Sequence, residues 1–382
     1  MLSAVKVLAV SVPAAGHLTP MLPLLRSMVA AGDEVVVATG PALADAVTAS
    51  GARLHPAGTG MNSWFGRLGA RTRGAPGDGL PPERIEHYFV PRLFAEIAAD
   101  DMVDGVLEAG QCLRPDLVVF ETESFAGPLA AHLLGVPAIH HTIGALLPPD
   151  AVELCADAVS PLWRAFDRDA PRDAGLYGGM TITICPPSME VHPAPSEDVI
   201  ALRPAPLPTR APEPSEPPLV YVTLGTMWSE PAVFRTVLEG LADESVDVLV
   251  TVGSGNDPTA LDPVPGNARV ERYVPQAELL PRCAAVVHHA GAGTMFGSLA
   301  HGLPQLALPQ AADNFTNAEL LGRSGAGRVL RPGEVTTDNV RHAVRLLLEE
   351  PGAADAAGKV ADEIAAMPSA DEVAAELRRR FG

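Results

Sequence analysis

A glycine-rich turn with two adjacent histidines, at residues 286–294, carries the strongest chemical signature in this chain. Its sequence, VVHHAGAGT, predicts a buried strand that runs into a turn and then a helix. Gly291 and Gly293 let the backbone approach a ligand closely, and the free N–H groups and positive dipole end of the helix suit a diphosphate. His289 can supply another donor, and Thr294 can cap the helix and donate to a phosphate oxygen.

Two further strand ends in the same half of the chain could face the same ligand. The segment TLGT ends one predicted strand with Gly225 and Thr226. The segment PQAADN ends a later one with Asp313 and Asn314, a carboxylate and an amide suited to sugar hydroxyls. Each feature has a structural alternative, because a glycine turn can simply connect a strand to a helix and Asp313 can be an N-cap. No lysine follows the glycines of the VVHHAGAGT turn, so that turn is not a Walker P-loop.

A histidine and a carboxylate at two other strand ends could form a general-base pair. His17 follows the first predicted strand in the segment AAGHLTP, and Glu121 ends the strand DLVVFE. A neutral imidazole can take the proton of an attacking alcohol, and a carboxylate on the other ring nitrogen stabilises the imidazolium that forms. Glu123 is a weaker candidate for the carboxylate. The structural alternatives are a helix cap for His17 and a solvated strand-end charge for Glu121.

Short apolar strands that alternate with helical patterns must position these residues. Such alternation implies βαβ units and a parallel sheet, and fully apolar strands imply that helices cover both of its faces. The sequence therefore predicts an α/β fold of two Rossmann-like, doubly wound parallel-sheet domains facing a cleft. The predicted strands are Val5–Val12, Glu34–Ala38, Leu117–Phe120, Val136–His140, Leu219–Leu224, Val246–Val252, Ala284–His288, Gln305–Leu308 and Gly327–Leu330.

A proline-dense run divides the two domains. We predict an N-terminal acceptor-binding domain over 1–202, an extended linker over 203–218 and a nucleotide-sugar-binding domain over 219–365. Residues 366–382 are expected to form a charged amphipathic helix that could pack back on the first domain. Gly58–Gly79 and Asp150–Gly179 are expected to be irregular, the first as a long mobile loop.

Composition narrows the classes of partner. The chain has 382 residues, 47% of them apolar, and a formal net charge of −19. This charge disfavours nucleic acid and anionic membrane surfaces. No stretch reaches the roughly 20 apolar residues of a membrane span, so a cytoplasmic location is expected. Four scattered cysteines, Cys112, Cys155, Cys185 and Cys283, are expected to be buried small hydrophobes.

Taken in order, YVPQ, HHAGAGT, GLPQ and the Asp313–Asn314 pair resemble the bacterial natural-product glycosyltransferases of the GT-B fold, which are related to the plant enzymes that use uridine sugars. The resemblance covers almost the whole chain and is densest over Tyr273–Leu330. It implies that Tyr273 stacks on the nucleobase where the family usually has Trp, with Val274 and Gln276 beside it. It also implies that His289 and Thr294 bind the diphosphate and that Asp313 and Asn314 hold the sugar. With Gly225, Thr226, Gly291 and Gly293, expected at the phosphates from their strand ends and turn, these residues complete the predicted donor site.

Besides Tyr273, three further positions depart from the family's usual pattern. Asn314 replaces a more common Gln, and Glu121 replaces a more common Asp. Enzymes that use uridine sugars commonly carry a ribose-binding Glu three residues after Thr294, where this chain has Gly297. A site without that carboxylate gains nothing from a 2′-hydroxyl, which favours a dTDP-sugar donor.

The resemblance and the residues together predict an inverting, single-displacement transfer of a sugar to a small-molecule natural-product acceptor. His17 is the general base, and the helix start at Gly293–Thr294 with His289 stabilises the departing diphosphate. No metal or other cofactor is expected. Asp167–Asp169 matches the Asp-x-Asp string of metal-dependent transferases, but it follows a helical stretch and is interpreted as a surface charge cluster.

The acceptor and several alternatives stay open at the level of sequence. Trp64, Phe65, Phe89 and Phe94 lie in segments that could line an aromatic acceptor pocket, or could equally belong to the core. A sugar-nucleotide epimerase, a membrane-associated transferase acting on lipid, and a non-catalytic helper or binding protein are the competing functions. A homodimer is also open.

Overall fold

The computed structural model describes residues 4–72, 80–81, 84–192, 195–204, 215–225, 231–253, 255–311 and 313–382. The chain forms two units. The first comprises Met1–Cys185, Glu190–Arg203 and Pro368–Gly382, and the second comprises Pro186–Met189 and Pro204–Met367. Most of the linker predicted over 203–218, namely residues 205–214, lies outside the described residues.

A seven-stranded parallel sheet with the order β3-β2-β1-β4-β5-β6-β7 forms the centre of the first unit. Its strands are β1 (Lys6–Val10), β2 (Glu34–Thr39), β3 (Arg53–Pro56), β4 (Leu117–Glu121), β5 (Ala138–His141), β6 (Met180–Thr183) and β7 (Val199–Ala201). All five residues of β4 are buried, as a central strand covered on both faces requires. Because β1 and β4 are neighbours with Val10 opposite Phe120, the segments that follow them leave the same edge of the sheet.

Helices cover this sheet, and one helical run is unusual. The helices are α1 (Ala15–Leu18), α2 (Leu22–Ala30), α3 (Ala44–Ala49), α4 (Met61–Thr72), α5 (Ile85–Phe89), α6 (Ala99–Leu113), α7 (Ala126–Leu134) and α8 (Pro149–Ala165). Between α5 and α6 the chain forms a nine-residue π-helix, Val90–Ala98, a rare geometry that is frequent at functional sites. Its side chains Leu93 and Phe94 join the core together with Val10 and Phe120 of the sheet.

The two segments predicted to be irregular are largely helical, and both predictions were wrong. Within Gly58–Gly79, residues 61–72 form α4, which buries Trp64 and Leu68; residues 73–79 lie outside the described part of the chain. Within Asp150–Gly179, α8 continues to Ala165 with Pro161 inside it. The glycines of the first segment and the prolines of the second predicted irregular structure. Each segment nevertheless has apolar residues on one helix face, and tertiary packing of that face stabilises the helix. The prediction for Cys112 was also wrong, because its side chain is exposed, whereas Cys155, Cys185 and Cys283 are buried.

The second unit is built on a six-stranded parallel sheet with the order β10-β9-β8-β11-β12-β13. Its strands are β8 (Leu219–Thr223), β9 (Asp247–Thr251), β10 (Ala268–Glu271), β11 (Cys283–His288), β12 (Gln305–Ala307) and β13 (Gly327–Val329). Its helices are α9 (Pro231–Leu241), α10 (Gln276–Leu279), α11 (Ala292–Ala300), α12 (Asn314–Ser324), α13 (Thr337–Glu349) and α14 (Pro351–Ala366). The architecture of two parallel sheets with surrounding helices, predicted from the alternating pattern, is confirmed.

A last helix, α15 (Ala370–Phe381), belongs to the first unit although it follows the whole of the second in sequence. It starts with a capping box between Ser369 and Glu372 and packs on α2. Nε of Arg378 lies 3.4 Å from Oδ1 of Asp33. The same Asp33 oxygen accepts the backbone N–H of Val5 at 2.9 Å, so the ion pair fixes α15 to the start of the first strand.

Candidate active site

In the first unit, His17 lies where the sequence predicted it, after the carboxyl end of β1. The chain turns at Pro13 and Ala14 and enters the one-turn helix α1, which carries His17 on its third residue. The His17 side chain is 14% exposed. Its Nδ1 lies 3.3 Å from Oε2 of Glu121, the last residue of the neighbouring strand β4. The structure therefore brings the predicted dyad together.

Glu121 is fully buried and accepts hydrogen bonds at both carboxylate oxygens. Oε1 accepts from the backbone N–H of Val12 at 3.0 Å and from Oγ of Ser124 at 2.6 Å. Oε2 accepts from the backbone N–H of Glu123 at 2.8 Å, in addition to its contact with His17. Burial acts to raise the pKa of Glu121, but His17 and these donors together lower it below the usual range. Because an ionised carboxylate only accepts hydrogen bonds, Nδ1 of His17 carries the ring hydrogen and Nε2 keeps the lone pair. This is the tautomer that a general base needs.

Two further groups lie around the His17 ring. Oε2 of Glu123 is 3.5 Å from Nε2, on the side of the ring opposite Glu121. The ring of Phe94, from the π-helix, has its centroid 5.5 Å from that of His17, with an angle of 44° between the planes. Among the predicted acceptor residues, Phe94 is thus placed directly against the predicted base.

The other predicted acceptor residues lie in or beside the core of the first unit. Trp64 is fully buried, and its Nε1 donates to Oδ2 of Asp101 at 2.8 Å. This position assigns Trp64 to the interior. Phe65 and Phe89 are partly buried and pack edge to face with a centroid separation of 6.1 Å.

In the second unit, the HHAGAGT turn lies between β11 and α11, as predicted. Gly225 and Gly291 both contact the ring of His289: a β-carbon on Gly225 would lie 2.7 Å from its Cε1, and one on Gly291 would lie 2.5 Å from its Nε2. Burial lowers the pKa of His289 to about 4, so its imidazole is neutral near pH 7. Its Nδ1 is buried and has no hydrogen-bond partner among the residues that the structure describes.

His288, a residue that sequence reasoning left without a role, fixes the geometry of this turn. Its ring is fully buried; Nε2 lies 2.6 Å from Oε1 of Gln305, and Nδ1 accepts the backbone N–H of Ala290 at 3.0 Å. Ala290 has a positive φ of 67°, which is uncommon for a non-glycine residue. The hydrogen bond from its N–H to the His288 ring stabilises this conformation of Ala290. The ring is itself held by Gln305, which also donates to the backbone oxygen of Met295. The sequence signal was the polar Gln305 at the start of an otherwise apolar strand.

The predicted nucleobase segment is tied to the start of α11. Nε2 of Gln276 donates to Oγ1 of Thr294 at 3.1 Å. Thr294 is therefore not the helix cap that we predicted; the N-cap is Gly291, without a side-chain cap, so the first N–H groups of α11 have no partner within the helix. Tyr273 is 67% exposed, whereas Val274 packs against the core of the second unit. Gly293 has open space around it, and Thr226 lies outside the described residues.

The predicted sugar-binding pair begins α12, after the carboxyl end of β12. Asp313 occupies the N-cap position without a side-chain capping bond. Its Oδ1 accepts from Nδ2 of Asn314 at 3.2 Å, and its Oδ2 accepts from Nδ2 of Asn317 at 2.8 Å. Asn317 was not predicted, although its spacing of four residues from Asp313 on a helix is the signal that could have identified it. Since β8, β11 and β12 are adjacent, Gly225, His289 and Asp313 all follow carboxyl ends at one edge of the sheet.

The described residues contain no feature typical of a metal site or a membrane span. Asp167, Arg168 and Asp169 are all exposed after the end of α8, and no three His, Cys, Asp or Glu side chains in the described ranges form a group that could hold a metal ion. No helix in the part of the chain that the structure covers combines the length and the apolar character needed to cross a membrane.

Known proteins match both units. Residues 84–208 and 235–379 match the N- and C-terminal domain families described as erythromycin biosynthesis protein CIII-like. The elloramycin glycosyltransferase ElmGT of Streptomyces olivaceus is 31% identical over 99% of this chain and 98% of its own length. The crystal structure of the glycosyltransferase SnogD from Streptomyces nogalater has a TM-score of 0.76 at 28% identity and covers 100% of both chains. That of the glycosyltransferase VinC in complex with dTDP has a TM-score of 0.75 at 27% identity and covers 98% of both chains. The chain therefore belongs to the erythromycin biosynthesis protein CIII-like family of antibiotic glycosyltransferases, with the GT-B fold.

Proposed function

We propose that this glycosyltransferase moves a sugar, with inversion at the anomeric carbon, from a dTDP-sugar to a hydroxyl of a small-molecule natural product, with His17 as the general base. The observation that carries the proposal is the bond between His17 Nδ1 and the buried, ionised Glu121. That bond orients the ring and leaves Nε2 as the proton acceptor. The acceptor oxygen then attacks the anomeric carbon while the bond to the diphosphate breaks.

The turn after β11 supports a role in binding and stabilising the leaving diphosphate. The N–H groups at the start of α11 and the helix dipole favour a negative charge at this point. His289 is neutral there, so it contributes as a hydrogen-bond donor rather than as a cation. These groups are already fixed by Gly225, Gly291 and His288, and a preorganised set of donors needs little rearrangement as charge develops. The proposal includes no metal ion.

The preference for dTDP rests on Gly297. A β-carbon at this position would lie 3.8 Å from Oε1 of Gln276 and 3.7 Å from Cδ1 of Leu280, so Gly297 faces the predicted nucleobase segment. A carboxylate that could bind a ribose 2′-hydroxyl is replaced here by a hydrogen atom. VinC, a structural neighbour, was solved in complex with dTDP.

Calorimetry with the purified protein tests the donor site first. We expect dTDP to bind more tightly than UDP, with the same affinity in the presence of a chelator. A clear preference for UDP would overturn the nucleotide assignment, and a loss of affinity with chelator would overturn the metal-free site.

A cytoplasmic location and a homodimer stay predictions.

Substitution of the base tests the catalytic half of the proposal. His17→Ala should bind dTDP like the parent protein and lose about 100- to 10,000-fold in transfer rate, measured by product mass spectrometry with dTDP-glucose and a panel of phenolic acceptors. His55→Ala is the matched control, since His55 contacts a carboxylate elsewhere in the same unit. Retained transfer by His17→Ala would exclude His17 as the base.

A further inference from the structure

We propose that Glu123 is a second carboxylate partner of His17, a positioning residue that stabilises the protonated ring from the Nε2 side. The inference rests on the proposed role of His17 as base. In this arrangement each ring nitrogen of His17 faces a carboxylate, Glu121 at Nδ1 and Glu123 at Nε2, whereas a dyad has a carboxylate at one nitrogen only.

One short turn aims a carboxylate at each nitrogen of His17. Oε2 of Glu121 lies 3.3 Å from Nδ1, and Oε2 of Glu123 lies 3.5 Å from Nε2. The turn is fixed by the backbone N–H of Glu123, which donates to Oε2 of Glu121 at 2.8 Å, and by the backbone N–H of Ser124, which donates to the Glu121 carbonyl at 2.9 Å. The position of Glu123 is therefore set by the same bonds that position Glu121.

The separation of 3.5 Å at Nε2 decides how Glu123 acts. It is longer than an ordinary hydrogen bond, so Glu123 acts through its charge and does not occupy the Nε2 lone pair. The side chains of His17 and Glu123 are 14% and 11% exposed. Little water screens the two charges, so a carboxylate at this distance favours the imidazolium that forms when the acceptor loses its proton.

Two histidines on β5 interact electrostatically with Glu121, and a thiol on α8 interacts with Glu123 and with Glu86 of α5. His140 and His141 are fully buried, and burial lowers their pKa values to about 3 and about 4, so both are neutral near pH 7. Burial, with a smaller contribution from Glu123 and Glu86, raises the pKa of the Cys155 thiol, which is neutral as well. Of the groups named here, the carboxylates are the ones that carry charge.

The proton balance of the transfer gives Glu123 its role. The acceptor O–H bond breaks as the Nε2–H bond of His17 forms, and the new positive charge lies between two carboxylates. After the sugar has been transferred, the Nε2 proton passes to water, which returns His17 to its neutral form.

An NMR titration of the substrate-free protein tests the inference independently of turnover. The ring nitrogens of His17 are followed against pH in ¹⁵N-labelled parent protein, E123Q, E123D and E108Q, with the His17 signals assigned by their loss in His17→Gln. We expect the midpoint of the His17 titration to move to lower pH by about 1 to 3 units in E123Q. In E123D, which keeps the negative charge, the midpoint of the His17 titration should lie close to that of the parent protein.

Glu108→Gln is the matched control, because Oε2 of Glu108 also lies 3.7 Å from a histidine Nε2, that of His55, in the same unit. Its His17 titration should superimpose on that of the parent. The inference is overturned if the His17 titrations of E123Q and the parent superimpose, or if E123D shifts as far as E123Q. Neither result bears on the proposed base, which His17→Ala tests separately.

Discussion

The imidazole of His289 lies so close to the α-carbon of Gly291 that a β-carbon there would be 2.5 Å from Nε2. Gly291 has a φ of −64°, so an alanine is sterically acceptable to its backbone and only the ring excludes it. We expect Gly291→Ala to destabilise the protein by about 1–3 kcal/mol, because the clash forces the ring or the turn to move. In a His289→Ala background the same substitution should cost almost nothing, which gives a coupling energy of about 1 kcal/mol or more in urea unfolding.

Gly225→Ala is the control for this cycle. Its β-carbon would also meet the His289 ring, but Gly225 has a φ of +79°. The strain of that conformation, about 1 kcal/mol, persists when the ring is removed. Equal costs of Gly291→Ala in both backgrounds would mean that the glycine is needed for something other than His289.

Tyr273 should contribute to nucleotide binding and not to stability. Its side chain is 67% exposed, so Tyr273→Ala should leave the unfolding temperature unchanged. Loss of the aromatic face should weaken dTDP binding about tenfold by calorimetry. Tyr273→Trp should bind at least as tightly as the parent, and unchanged affinity in Tyr273→Ala would remove Tyr273 from the base site.

A carboxylate at position 297 should change the choice of nucleotide. Gly297→Glu is expected to improve the affinity for UDP relative to dTDP by about tenfold, through a hydrogen bond to the 2′-hydroxyl. Gly297→Ala introduces only a β-carbon with ordinary contacts of 3.7 and 3.8 Å, so it should keep the preference of the parent. If a folded Gly297→Glu protein binds both nucleotides with the ratio of the parent, the explanation by ribose is wrong.

Acid should destabilise the second unit through His288. Burial lowers the pKa of His288 to about 3, from about 6.5 in the unfolded chain. Between these values the unfolded chain binds a proton that the folded chain does not, so stability falls as the pH falls through this window. His288→Asn should lower the unfolding temperature at neutral pH and flatten its decline between about pH 7 and about pH 4. The exposed His342→Asn variant should follow the profile of the parent.

The sequence was sufficient for the elements whose apolar runs are buried on both faces. Strands β4 and β8 are buried throughout and were predicted within a residue of their observed ends. The short, partly exposed strands β3 and β10 lack such a pattern and were missed. Helix α4 was missed because glycines interrupt it, although Trp64 and Leu68 fall on one buried face.

The residues of the candidate site were predictable where the strand end itself places them. His17 and Glu121 lie at the carboxyl ends of neighbouring strands in the first sheet, and His289 lies at such an end in the second. Within each sheet, the parallel topology alone brings such positions to the same edge. Which of two neighbouring residues takes which role was not predictable. The sequence does not show which of the adjacent histidines, His288 or His289, turns its ring toward the backbone of the turn. Nor does it show which carboxylate, Glu121 or Glu123, contacts which ring nitrogen of His17.

The return of α15 to the first unit has a consequence for the order in which this protein can mature. Residues 368–382 leave the ribosome only after the entire second unit. Until then Asp33 lacks the guanidinium of Arg378, and the apolar face of α2 lacks the helix that covers it. The first unit therefore lacks its last helix while about 160 further residues are synthesised. The second unit can fold before the first unit is complete.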